Sequence, residues 1–361
     1  MKIAIDARMI NMSGIGTYIQ NLMKNNCYDI ALGRKDEIKK IDNKIYTIEF
    51  DSPIYGIKEQ LKFPYKKLRK EKPDVLHVPH YNVPIFYRGK IVVTIHDLTH
   101  LILPEFLPNK LAYYYAKFMI WIALKKADKV ITVSQNTKND ILKMFKVKPD
   151  KIEVIYNGVG EEFVKKDKKD IKYLYEKFNI PNNKKIIMYV GNLKPHKNLE
   201  RLLEAYSKII QREETCLLLV GKAFKKYDVL EEKEKELGIE KQVIHTGIVT
   251  QNELVDLYNL ADLFIFPSLY EGFGLPVIEA LSCGTNVVCS NNSSIPEVGG
   301  RYANYFNPYD SEDLKNKIEE QIQKERNINC DEWLKKFDWK INANKTKKIF
   351  KNSYKGKKYD G

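Results

Sequence analysis

The chain has 361 residues, 43% hydrophobic and 30% charged, a length and balance that suit two ordinary globular domains and exclude a disordered or fibrous chain. Its formal net charge of +14 sets up a field that attracts nucleic acid or anionic lipid, with a solvated lysine-rich surface as the plain alternative. Five cysteines, odd in number and without metal-ligand spacing, argue against a disulfide framework or zinc site and read as reduced cytosolic thiols.

The chain enters directly on an apolar strand, Ile3-Ala4-Ile5, with no secretory start, so a cytoplasmic protein is expected. Asp6-Ala7-Arg8 follows, then a loop, Ser13-Gly14-Ile15-Gly16-Thr17, ahead of a helix over Tyr18 to Lys24. Glycines at a strand-to-helix turn let backbone approach a ligand, although turn chemistry alone explains such a pair equally well. The third glycine of a dinucleotide fingerprint is missing, which argues against a dehydrogenase. Lys58 to Lys72 sets seven Lys or Arg against Glu59 and Glu71, interleaved with Leu61, Phe63, Tyr65 and Leu68. That mixture suits an interfacial helix on an anionic membrane surface. No nucleic-acid-binding motif accompanies the charge, so nucleic acid is not an expected partner.

Strands are expected at Val75–Val78, Ile91–Ile95 and Val130–Val133. The second of these delivers His96-Asp97 to the strand end, where His96 serves equally as a loop cap or as a donor, acid or base toward a ligand. His77 and His80 read as structural. The longest apolar stretch, Leu111 to Leu124, is too short to span a membrane and is interrupted by Lys117. Between Pro149 and Pro181 the pattern breaks into a strand, a turn at Asn157-Gly158 and a charge run from Lys165 to Lys172. A second series of strands then begins at Lys185–Val190 and continues at Cys216–Val220, Val243–His245, Leu263–Phe266 and Asn286–Cys289. Alternation of this kind describes an α/β chain with two Rossmann-like parallel sheets, whose ligands bind at the carboxyl ends of the strands in the cleft between the halves. The expected division is 1–160, a hinge at 161–182, and 183–340, with a final helix over about 341–361 returning to the first domain.

Four strands of the second half lead into glycine-containing loops, at Gly191, Gly221, Gly247 and Gly272-Phe273-Gly274. Lys197 lies ahead of a helical stretch, where a cation opposes the helix dipole unless a polyanion sits beside it. The last loop opens a helix through Leu275-Pro276 and is bracketed by Glu271 and Glu279, seven residues intervening. A glycine loop at a helix start suits a phosphate, and flanking carboxylates suit hydroxyls, so a nucleotide sugar fits both. An alternative for Glu279 is an ordinary surface pair on its helix. No Asp-x-Asp occurs, so no metal and no other cofactor is expected.

The stretch from Glu271 to Glu279 resembles the hallmark of the retaining family 4 glycosyltransferases of GT-B fold. Further matches run from Asp6-Ala7-Arg8 and Gly14-Ile15-Gly16 through Thr94–Leu98, Val133-Ser134, Ile155–Val159, Val190-Gly191 and Lys197-Asn198 to Ile295–Val298. The whole set is most similar to mannosyltransferase-like members that build bacterial polysaccharides. The resemblance implies catalytic roles for His96 and Lys197, beside the sugar and the diphosphate, and for Glu271 on the donor sugar. It implies that Gly272, Phe273, Gly274 and Leu275 meet sugar and diphosphate, and that Glu279 holds the ribose. Asn192, Gly247 and Val249 would line the nucleotide, with Gly14, Ile15 and Gly16 close to the diphosphate. Many relatives carry an arginine where this chain has Asn192 or His196, so fewer fixed positive charges surround the diphosphate here. The expected partners are a nucleotide sugar donor, a glycan or lipid-linked acceptor, and the inner face of the cell membrane. A GT-B-fold sugar-nucleotide epimerase, or a non-catalytic membrane- or nucleic-acid-binding adaptor, stays open as an alternative.

Overall fold

The computed structural model describes all residues except Tyr55, Gln211, 222–226, Asn327 and 356–361. It divides into two compact units, one of Met1–Gly158 with Lys336–Gly361 and one of Val159–Lys335.

In the first unit seven parallel strands form one sheet: β1 (Ile3–Asp6), β2 (Ile30–Gly33), β3 (Tyr46–Glu49), β4 (Val75–Val78), β5 (Lys90–Ile95), β6 (Lys129–Thr132) and β7 (Ile152–Val154), in the order β3-β2-β1-β4-β5-β6-β7. The central strands β1, β2 and β4 are buried at every residue. Helices cover both faces of such a sheet, which is why these strands are mainly apolar rather than alternating, with Asp6 and His77 buried among them. The core beneath joins Ala4, Leu76, Val93 and Val130 to Met119, Ile120 and Ala123 of helix α2 (Lys110–Lys126).

Helix α1 runs over Ser13–Lys24, so the residues expected as a loop, Gly14, Ile15 and Gly16, form its first turn. Gly16 has a packing reason of its own: a Cβ there would stand 2.5 Å from the Ile10 carbonyl oxygen. The basic stretch is also corrected. It forms two short helices, Ile57–Lys62 and Tyr65–Glu71, broken where Pro64 restricts the residue before it. Phe63 and Leu68 are buried in the core, Glu59 is buried against Arg8, and Leu61 is exposed, so the apolar residues of the stretch are divided between core and surface. The final helix α6 (Trp339–Lys355) belongs to this unit: Asn342 donates to the Tyr156 carbonyl at 2.7 Å and Lys347 to that of Asn25 at 2.8 Å.

The second unit carries six parallel strands: β8 (Lys185–Val190), β9 (Thr215–Val220), β10 (Val243–Gly247), β11 (Leu263–Phe266), β12 (Asn286–Ser290) and β13 (Asn304–Phe306), in the order β10-β9-β8-β11-β12-β13. The order reverses between β8 and β11, the topological switch point where open parallel sheets bind ligands. Residues 161–182, expected as a hinge, lie inside this unit. Phe163, Ile171 and Leu174 are buried, and Asp256 on helix α4 (Gln251–Leu260) takes Lys166 at 2.6 Å and Tyr173 at 2.7 Å. All five cysteines are free and buried.

Candidate active site

At the carboxyl end of the second sheet, three glycine turns are laced together. Gly191 donates to the Val220 carbonyl at 3.0 Å and Gly221 to that of Gly247 at 3.1 Å. The Gly191 and Gly221 loops approach so closely that a Cβ on Gly221 would fall 2.0 Å from the Gly191 oxygen. These glycines set backbone against backbone, while Gly247, left-handed at φ 68°, has open space around it. Asn192 accepts the Tyr189 hydroxyl on its carbonyl at 3.3 Å, and Val249 is half-buried one residue ahead of the Thr250 cap of α4.

Lys197 closes a short 3-10 turn after β8. Asn198 follows in the left-handed region and starts helix α3 (Leu199–Ser207). Asn198 ties this corner down by donating to the carbonyls of Pro267 and Pro308 at 3.0 and 2.8 Å. The loop after β11 is held by Leu269, whose amide donates to the His196 carbonyl at 2.8 Å. The two loops at the switch point are thereby joined, and they bring together Lys197 and Glu271 across 74 residues. Lys197 Nζ donates to Glu271 Oε1 at 2.5 Å, each side chain retaining about a sixth of its exposure (17% and 15%).

A shelf that sequence spacing does not reveal supports Glu271. Its amide donates to Ser293 Oγ at 3.0 Å, the Ser294 hydroxyl spans the carbonyls of Glu271 and Phe273 at 2.9 Å each, and Asn292 donates to Leu269 at 2.6 Å. Ser293 stands in the left-handed region, at φ 51°, a conformation uncommon outside glycine and of the kind stored at functional sites. Gly272, Phe273 and Gly274 are buried, and Gly274, at φ 104°, caps the start of helix α5 (Leu275–Ser282). Its first turn directs backbone N–H dipoles toward the loop, as an anion requires.

Glu279 lies further along α5. Its Oε2 accepts the Tyr258 hydroxyl from α4 at 2.9 Å. Burial pushes its pKa up to about 7, with the Tyr258 hydrogen bond pulling the other way. It is thus a half-buried carboxylate held by one oxygen, not a solvated surface pair. Among the described residues no group of three His, Cys, Asp or Glu side chains is placed to hold a metal ion.

In the first unit the corresponding strand ends are occupied by contacts of their own. Arg8 grips Asp6 with two nitrogens, Nε at 2.9 Å and Nη2 at 2.6 Å, and reaches Glu59 with Nη1 at 2.9 Å. Burial alone would raise the Asp6 pKa, but the Arg8 guanidinium and His80 hold it far below the usual carboxylate range. His80 accepts the Asn82 amide at Nδ1, so its other nitrogen carries the proton toward Asp6, at 3.2 Å. His77 bridges Tyr28 and Thr94 at 2.7 and 2.8 Å. His96 lies edge-on to Tyr18, 4.9 Å between ring centres, with Nε2 donating to the Pro79 carbonyl at 3.2 Å. Burial lowers its pKa to about 4, Asp97 opposing, so it is a neutral donor near pH 7 and not a charge shuttle.

Residues 170–338 match the family described as glycosyl transferases group 1, and residues 45–163 match Glycosyltransferase Family 4. The serotype-specific mannosyltransferase WbdA of Escherichia coli is 33% identical over 257 residues, 69% of this chain and 30% of that protein. The chain therefore spans about a third of that relative's length. The O-antigen chain mannosyltransferase B of Escherichia coli is 30% identical over 258 residues, 71% of this chain and 67% of that one. Among solved structures, Anabaena Alr3699/HepE in complex with UDP and glucose matches with a TM-score of 0.75 at 20% identity, over 99% of this chain and 98% of the other. At that identity the likeness speaks for fold alone, and the fold is GT-B. The chain belongs to the group 1 glycosyl transferases, the family 4 glycosyltransferases of GT-B fold.

Proposed function

We propose that the protein is a retaining glycosyltransferase that moves a hexose, mannose as the leading assignment, from a nucleotide diphosphate sugar to a glycan or lipid-linked acceptor in bacterial polysaccharide synthesis. The observation that carries this is the meeting of Lys197 and Glu271 at the switch point of the second sheet, with the start of α5 beside them and Glu279 behind. The mannosyltransferase relatives of Escherichia coli support the choice of sugar.

In this reading the donor separates the resting pair. Lys197 turns to the diphosphate and Glu271 to the sugar hydroxyls, each exchanging one charge-assisted contact for another. Gly272 and the amides of Phe273, Gly274 and Leu275 meet sugar and phosphate, Glu279 takes the ribose hydroxyls, and Asn192, Gly247 and Val249 line the nucleotide. The acceptor hydroxyl attacks the anomeric carbon as its bond to the diphosphate oxygen breaks, on the same face, and passes its proton to that oxygen. Catalysis then rests on charge stabilisation of the leaving diphosphate by Lys197 and the helix start. His96, a neutral imidazole, and Gly14, Ile15 and Gly16, at a helix start, are the first unit's candidates for contacting sugar and phosphate.

A screen of nucleotide diphosphate sugars by thermal shift tests donor binding first, since a ligand bound only by the folded state raises its stability. Transfer assays with the best donor follow. An isomerised sugar formed from donor alone would replace this reading by the epimerase, and unchanged transfer in both Lys197→Ala and Glu271→Ala would remove it.

A further inference from the structure

Helix α2 has an outward face unlike that of an ordinary surface helix. Its inward side, with Ala116, Met119, Ile120 and Ala123, is buried in the first unit's core. The outward side should then be polar. It instead exposes Leu111, Tyr114, Phe118 and Trp121, at 78%, 63%, 53% and 43%. At 100° per residue these four fall within an arc of roughly 80°. Lys110, Lys117 and Lys125 are exposed on the same side, and the helix contains no aspartate or glutamate. Phe118 and Trp121 stack at 6.0 Å between centres, and the Lys125 ammonium sits 4.1 Å over the Trp121 ring.

This stripe is too ordered in composition to be scattered surface apolarity. Tyrosine, tryptophan and lysine with an aliphatic residue are the side chains that settle at the boundary between lipid headgroups and acyl chains. The helix cannot cross a membrane: no helix among the described residues is long and apolar enough. A stripe lined by cations and free of anions complements an anionic surface and repels a second copy of itself, which argues against self-association through this face. We infer that the outward face of α2 seats the first unit on an anionic lipid bilayer, with Phe118 and Trp121 in the headgroup boundary and the three lysines against lipid phosphates. The anchor is thus α2 rather than the basic stretch Lys58–Lys72, where Phe63 and Leu68 are turned into the core and, among the described residues, Leu61 is left as the one large apolar side chain fully on the surface.

The test uses the full chain with vesicles of phosphatidylcholine alone or mixed with phosphatidylglycerol, read by cosedimentation and tryptophan emission, and does not depend on glycosyl transfer. Trp333 is half-buried and Trp339 buried, so a blue shift on the mixed vesicles that disappears in Trp121→Phe places that ring in lipid. Replacing Lys110, Lys117 and Lys125 by serine should weaken binding by roughly fivefold each, more than 100-fold together. Phe118→Ser should weaken it about tenfold or more. Unchanged circular dichroism shows that these exposed substitutions leave the fold intact. The inference is overturned by equal binding to both vesicles, by binding that survives the α2 substitutions but not serine at Lys66, Lys67 and Lys70, or by a dimer that Phe118→Ser dissociates.

Discussion

The carboxyl ends of the two sheets hold similar residue types in opposite states. On the first, Asp6, Glu59, His80 and the side chain of Arg8 are buried and committed to one another. On the second, Lys197 and Glu271 meet each other but keep part of their surface, and Glu279 is held through one oxygen. A closed network builds a scaffold. An incompletely enclosed pair can exchange partners when a ligand of the same charge pattern arrives. Equivalent positions on two sheets of one architecture can therefore differ in use while agreeing in composition.

Substitution on the second edge should have the largest effect. Lys197→Ala or Glu271→Ala should cut turnover by about 10²- to 10³-fold, the scale of losing a transition-state donor, with little change in Tm. Kinetics and thermal melts of both variants check this; loss of fold in both would blur the contrast. On the first edge, Arg8→Ala should leave Glu59 buried without its cation and Asp6 held by His80 alone, and cost about 3–5 kcal/mol of stability, measured by urea unfolding. A stable Arg8→Ala protein without activity would break the comparison outright.

The pH behaviour sharpens it further. With its pKa near 7, Glu279 accepts ribose hydroxyls fully only above that value, so donor affinity should fall as pH drops from 8 to 6 and Glu279→Gln should flatten the profile. The same raised pKa favours the fold below about pH 4.5, and that contribution is lost as pH rises through about 7. His96 works in the other direction. Its depressed pKa adds stability above about pH 6.5 that is lost as pH falls toward 4. His96→Gln should remove that acid slope in thermal melts while leaving the pH dependence of turnover above pH 6.5 unaltered. The smallest change is expected from Tyr258→Phe, which removes a hydrogen bond that lowers the Glu279 pKa. The midpoint of donor binding should move to higher pH, with affinity near neutrality reduced a few-fold.

Much of this was legible in the chain because buried parallel strands announce themselves. Leu263–Phe266 is apolar throughout and Ile91–Ile95 apolar except for Thr94, both strands being buried because both faces are covered. The strand Tyr46–Glu49 was not visible, being at a sheet edge with only Ile48 fully buried; neither was the three-residue Asn304–Phe306. The helix start at Ser13 escaped because glycine spacing suggests a loop, whereas Gly16 serves a close approach to Ile10. At the site, local motifs marked Glu271, Glu279 and Lys197. Their supports carry no local pattern: Tyr258 and the Asn292–Ser294 shelf stand about twenty residues away in sequence, and only the packing of separate loops brings them into place.

The burial of every cysteine has a practical consequence. Burial raises the thiol of Cys27 and that of Cys216 to about 11 and that of Cys283 to about 12, and lifts Cys289 and Cys330 as well. A native molecule therefore presents almost no thiolate to an alkylating reagent. Cys27 lies in the first unit and the other four in the second. Counting alkyl groups by mass during mild denaturation distinguishes the two: one added group marks the opening of the first unit, and four mark the second. The protein carries its own unequal pair of clocks for local unfolding.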